Sequence, residues 1–250
     1  MSAKLGQSLV MLGFCIFAIK LYLQGDMTLY IHPRYTLFCF VMSIIGACFF
    51  TASGYLAIQH SRRFPQTSRP RISLISYTVI GLLCLAFIVP PRALLSSAAD
   101  RKSSGAQSAQ TGNFNSVDGC LTLAPDYQAS ISDWVAIIET CNDPQKYTNT
   151  KVELTGFVYR PKDTVMIADT FMIARFLMSC CAVDASPKYL PVFAPGWEKK
   201  YKTDQWVTIS GRLKLINTGG SRQLILYPDT IEKISEPKDP YDYYKQIPQY

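Results

Sequence analysis

Histidine is almost missing from this chain. Of its 250 residues only His32 and His60 are histidine, and neither lies in the C-terminal half. That excludes Ser-His-Asp and Cys-His nucleophilic arrangements, and His-rich zinc sites, from the region after residue 110. No glycine-rich phosphate-binding loop is present. Acids are scarce in the first 109 residues, where Asp26 and Asp100 face ten lysines and arginines. From residue 110 onward, 15 basic and 16 acidic residues nearly cancel. The net charge of +7 therefore belongs to the N-terminal part. The C-terminal part offers no basic footprint for nucleic acid. Its scattered acids, among them Asp163, Asp169, Asp184 and Asp204, include no sequence-close pair for general acid–base work. Together these absences argue against an enzyme.

Three apolar runs dominate the first hundred residues, at about 8–24, 35–58 and 74–91. Each approaches the length a helix needs to cross a bilayer. Lys20 sits near one end of the first, where its stem can snorkel. The second has no charge, and the third stops at Pro90-Pro91. No small-residue cleavage site follows Leu23, so the first run reads as a retained helix. Arg62, Arg63, Arg69 and Arg71 make the link between the second and third runs the most basic short loop. Lys and Arg concentrate on the cytoplasmic side. The expected protein is thus multi-pass in a plasma membrane, with its N-terminus inside and everything after Leu94 outside. Arg34 and Arg92 run against this direction but are outnumbered. Ser43, Ala47 and Thr51 form a small-residue stripe suited to close helix packing.

Residues 1–95 are then a membrane module, 96–117 a flexible polar tether, and 118–250 an extracytoplasmic domain. In that domain 132–141 reads as a short helix, capped by Ser132 or Ser130, with Trp134, Ile137, Ile138 and Cys141 at helical spacing. The period then changes to two. Strands are predicted at 151–159, 170–180, 189–194 (Pro191 marking an edge or bulge), 205–216 and 223–227, with 230–234 as an extension. Thr218-Gly219-Gly220 makes a turn. About five antiparallel strands, with Gly156 and Gly211 where the sheet must bend, predict a small OB-like β-barrel with one short helix. Such a barrel does not by itself imply nucleic-acid binding.

Eight cysteines are present. Cys15, Cys39, Cys48 and Cys84 lie in apolar helices and read as packing residues. Cys120, Cys141, Cys180 and Cys181 fall in the outer domain, where an oxidising compartment allows three pairings. Cys120 with Cys141 reads equally as a disulfide or as two buried thiols. The adjacent pair Cys180-Cys181 admits a soft metal ion, a vicinal disulfide, or separate partners. A straight strand would send the two side chains to opposite faces. Both sulfurs reach one ion only if the strand ends or bulges there, and Ala182, Asp184 and Pro187 supply a turn. Asp184 is then a candidate oxygen ligand. Arg175 lies mid-strand in an apolar run, either at the barrel surface or as a substrate or partner contact on the face of Cys181. The Pro- and Tyr-rich tail after Glu236 is expected to dock, extended, on the barrel.

The segments VELTGFVY at 152–159, FMIARF at 171–176, Cys180-Cys181 with Asp184, WVTISG at 206–211 and PKDPYDYY at 237–244 occur in order. In this the chain resembles the YcgQ-like permease-subunit family of bacteria. The resemblance covers about half the chain. It implies a partner, a larger multi-helix permease, and an accessory subunit that presents or receives substrate at the extracytoplasmic face. A thiophilic ion would suit the cysteines. The alternatives are a stand-alone membrane-tethered thiol module, binding metal or acting in redox, and a purely structural assembly subunit.

Overall fold

Two apolar helices open the computed structural model, which describes residues 3–63, 79, 82, 95–103, 120, 127–141, 143–162, 167–218 and 221–243. Helix α1 (Ala3–Gln24) and helix α2 (Pro33–Arg63) are joined through Gly25 and a 3-10 turn at Asp26–Leu29. Gly25 takes a left-handed φ of 80°, which glycine adopts without the Cβ penalty. Within these helices, Gly6–Gln24 and Pro33–His60 are long and apolar enough to cross a membrane, at mean hydropathies of 1.7 and 2.0. Tyr22 stacks on Phe40, and a Cβ on Gly46 would lie 2.9 Å from Cys15 Sγ, so the two helices touch through small residues. Gly46 makes this close approach, next in sequence to Ala47 of the expected stripe. There Ser43 and Thr51 return their hydroxyls to the Cys39 and Ala47 carbonyls of their own helix. Leu37, Phe38, Phe49 and Leu56 point outward and exposed, as a helix apolar all round requires lipid or protein to cover it. The expected third span at 74–91 and the loop arginines Arg69 and Arg71 lie outside the described residues, apart from Val79 and Leu82.

The chain divides into two compact units, Met1–Arg92 and Ala93–Tyr250. The second is built on β1 (Lys151–Tyr159), β2 (Thr170–Met178), β3 (Ser186–Phe193), β4 (Trp206–Thr218), β5 (Ser221–Lys233) and β6 (Tyr241–Tyr243). Pairing runs β1-β4-β5-β3-β2 and returns from β2 to β1, closing a five-stranded barrel. The closed ring fits the OB-like expectation. Ring neighbours are antiparallel except β3 and β5, which meet in parallel at Val192 and Leu226. Alternation carries β1, where Val152 and Leu154 face the core between exposed Lys151 and Glu153. A register shift falls between Ser210 and Gly211, and a Cβ on Gly211 would lie 2.8 Å from the Pro228 Cα. Gly156 sits where β1 begins to pair with β2; a Cβ there would lie 2.6 Å from the Ala174 carbonyl oxygen. Both glycines permit the backbone approach that closure demands. Helix α4 (Ile131–Thr140) packs on the barrel with Ile131, Trp134 and Ile137. Ser130 caps it, in a reciprocal capping box with Asp133.

Three expectations change. Residues 96–103, read as flexible tether, are helix α3 (Ser96–Ser103), with Ala98 and Ala99 buried and contacts to β3. Its polar sequence hides this because, beside two alanines, the docking is polar: Ser96 N–H donates to Asp204, Asp100 accepts from the Tyr159 hydroxyl, and Lys102 reaches the loop before β3. The third strand starts at Ser186 rather than Tyr189, since Pro187 and Pro191 need donate nothing to β2. The fifth is one continuous strand to Lys233, bent past Pro228 at the register shift. The Gly219-Gly220 turn lies outside the described residues, bracketed by Thr218 opposite Ser221.

Candidate functional site

Strand β2 ends at Met178, and the chain turns back into β3 through Ser179–Ala185. This break brings the cysteine sulfurs together: Cys180 Sγ lies 3.5 Å from Cys181 Sγ. Their ligand atoms and an Asp184 oxygen all fall within 4.8 Å of one another. Cys180 is exposed and Cys181 half-buried, so the sulfurs are open to solvent.

Asp184 organises the turn. Its Oδ1 accepts from the Ser179 N–H at 3.0 Å, and its Oδ2 from the Cys180 and Cys181 N–H groups at 2.7 and 3.2 Å. The Asp184 N–H in turn donates to the Cys181 carbonyl. On the other side, Lys102 from α3 donates to the carbonyls of Ala182, Val183 and Ala185 at 2.9, 3.0 and 2.6 Å. A cation at the C-terminal end of a helix also complements the helix dipole. Sequence reasoning missed Lys102 because it lies in a segment of tether-like composition, about eighty residues from the loop it holds.

Charge differs between the two thiols. Hydrogen bonding to the Asp184 carboxylate and to Cys181 pushes the Cys180 thiol up to about 12. The backbone N–H groups of Val183 and Asp184, together with the Cys180 thiol, stabilise the Cys181 thiolate and bring its pKa down. Burial alone would raise Asp184; hydrogen bonds from Cys180 and the three backbone donors outweigh it and hold this carboxyl below its usual range. Burial lowers Lys102, opposed by the nearby Asp184 and Cys181 charges. The loop therefore favours ionisation at Cys181 over Cys180, whose thiol donates to the Cys181 sulfur.

Arg175 is not on this site. Its side chain is taken up by the chain's own tail, pairing with Asp242 at 3.2 Å and donating to the Asp239 carbonyl at 2.6 Å. Its exposure is only 17%, which leaves little of it for substrate or partner. β6 lies parallel against the end of β2, Phe176 opposite Tyr241, and so the tail docks as expected. Asp242 also accepts from the backbone and hydroxyl of Ser132, at the start of α4. Burial pushes Asp242 up, while Arg175 and Ser132 pull it back. Cys120 and Cys141 are joined in a disulfide, with Cα atoms 4.2 Å apart, tying the segment before α4 to its C-terminal cap.

Two membrane-length helices and a closed barrel bearing an exposed cysteine pair define a class of protein: a helix-anchored barrel with a thiol-bearing hairpin. Residues 119–244 match the DUF1980 C-terminal domain and residues 7–105 the DUF1980 N-terminal domain. The chain belongs to the DUF1980 family, the YcgQ-like family that its motifs resemble. It is 28% identical over 103 residues to a Streptococcus mutans serotype c protein named "Putative two-component membrane permease complex subunit". That match takes in 40% of this chain and 36% of the relative, so the chain spans well under half the length of the curated protein it matches.

Proposed function

We propose that this chain is the accessory subunit of a two-component membrane permease, with its barrel on the extracytoplasmic face. There the hairpin of Cys180, Cys181 and Asp184 presents or receives a thiophilic substrate. The permease role comes from the name of the Streptococcus mutans relative. The apolar outward faces of α1 and α2 support a membrane setting. The observation that carries the site is the approach of two solvent-open sulfurs to 3.5 Å at the tip of a hairpin. Two thiols so placed chelate a soft metal or metalloid, which exchanges from an open site more readily than from a closed one. The partner in this reading is a larger multi-helix membrane protein. No step of catalysis is assigned to the subunit.

Affinity purification of the tagged full-length chain from its own membranes tests the assignment. A multi-helix permease is expected in the eluate. A C-terminal reporter that fluoresces only in the cytosol is expected to stay dark, and a bright one overturns the placement of the barrel. Metal content is expected to fall when Cys180 and Cys181 are both changed to Ser. A chain that carries metal but brings down no permease indicates a stand-alone thiol module. One that brings down permease but carries equal metal with and without the cysteines indicates an assembly subunit.

A further inference from the structure

The hairpin can be read further, on the assumption that it is the substrate site proposed above. We infer that Cys180 and Cys181 are its only ligands, that Asp184 and Lys102 are positioning residues, and that the ion it takes is Cu(I), not Zn(II) or an oxygen-seeking divalent cation.

The donors around the two sulfurs are already engaged. The Asp184 carboxylate already accepts three backbone N–H groups. The carbonyls of Ala182, Val183 and Ala185 converge on Lys102 Nζ, and that of Cys181 accepts from the Asp184 N–H. An ammonium with three carbonyl oxygens within 3.0 Å stands where a hard cation would stand. Calcium and magnesium need six or more oxygen ligands, waters included, and here the protein's oxygens are already engaged. Nitrogen donors of the usual kind are absent by sequence, since neither histidine falls in this unit. Among the described residues the unit's other sulfurs are unavailable: Cys120 and Cys141 are joined to each other, and Met172 and Met178 are buried.

Two thiolates remain. Zinc sites built by proteins use three or four side-chain ligands, and this hairpin offers too few. Soft thiolates suit Cu(I), zinc and iron–sulfur clusters; the last two are held by three or four protein ligands, and Cu(I) accepts two. Binding displaces the thiol protons to solvent and leaves the ion at an exposed tip. Val183, 87% exposed beside it, adds an apolar contact for whatever receives the ion.

The test uses the full-length chain in detergent, free of oxygen, with ascorbate to hold copper reduced while leaving the disulfide intact. Cu(I) is supplied from a chromophoric chelator, and Zn(II) from another. One equivalent of Cu(I) is expected that is lost in Cys180→Ser and in Cys181→Ser. Asp184→Asn should keep that equivalent with affinity down about 10- to 100-fold, as for an outer-shell residue. X-ray absorption of the copper-loaded chain should show only sulfur neighbours. Zn(II) uptake should not depend on either cysteine. Independently of any variant, Cu(I) loading should protect Cys180 and Cys181 from alkylation, mapped by peptide mass spectrometry, and Zn(II) should not. Cysteine-independent copper, an oxygen neighbour that vanishes in Asp184→Asn, or equal protection by zinc overturns the inference. If the chain still brings down a permease in that event, the accessory role stands and only the ligand class falls.

Discussion

Cys120 and Cys141 are 21 residues apart in sequence and covalently joined; Cys180 and Cys181 are neighbours in sequence and remain free. The first pair sits beside the buried face of α4, where Cys141 belongs to the core cluster. Its bond closes a loop that includes the whole helix, so it restrains the unfolded chain. The second pair closes nothing. It projects from a hairpin whose shape is set by a carboxylate on one side and an ammonium on the other. One barrel thus ties two cysteines into its core and leaves two free at a loop, and placement decides which is which.

The stability side of that contrast extends to the tail, and breaking it there should have the largest effect. Asp242→Ala leaves Arg175 without its partner in a mostly buried position, and should cost about 3–5 kcal/mol in chemical denaturation of the barrel. The Cys120→Ala/Cys141→Ala variant comes next, at about 3 kcal/mol for a loop of this length. Cys180→Ser/Cys181→Ser should cost less than about 0.5 kcal/mol in the same experiment, as exposed substitutions do. Equal losses from the two double variants would erase the distinction between the pairs. Between these values lies Lys102→Met. It removes three charge-assisted hydrogen bonds from a partly exposed group and should cost about 1–2 kcal/mol, with faster amide exchange at Asp184 as α3 releases the loop.

These values also explain what was legible in the sequence. Alternation located β1 to the residue, and β4 to within two residues at its C-terminal end, because the first half of β1 and most of β4 have one face on the core and one toward solvent. β2 was found but overrun at its end. It is buried on both faces, so nothing in its hydrophobicity marks Met178 as the last paired residue. Gly156 and Gly211 were readable as bend positions, since only glycine fits where strands approach so closely. The cysteine pair announced itself, yet its geometry depended on where β2 stopped. Lys102 and the Arg175–Asp242 pair could not be read at all. Each joins residues more than sixty positions apart through contacts that carry no local periodicity.

Reactivity separates the two free thiols from each other. With Cys180 pushed up to about 12 and Cys181 drawn below the usual thiol value, limited iodoacetamide near neutral pH should label Cys181 first. Mass spectrometry of the resulting peptide reads the order directly, and preferential labelling of Cys180 would mean that Asp184 does not govern the loop. Asp184→Asn should narrow the difference, because the acceptor that raises Cys180 loses its charge.

The smallest effect concerns acid stability, and its sign follows from the same carboxylate. Asp184 is held below its ordinary value of 3.8 in the folded barrel. A depressed carboxyl contributes stability that is fully present above the unfolded value and is lost as pH falls through the folded one. Asp184→Asn should therefore melt lower than wild type at pH 5 to 7, by a constant amount, and the two curves should converge as pH drops below 3.8. Asp242, raised by burial, has the opposite slope and does not mimic this, because its contribution declines as pH rises. A melting difference that persists unchanged into strong acid would show that the loop is held by something other than the Asp184 charge. In that case the open arrangement of Cys180 and Cys181 would owe its shape to Lys102 alone.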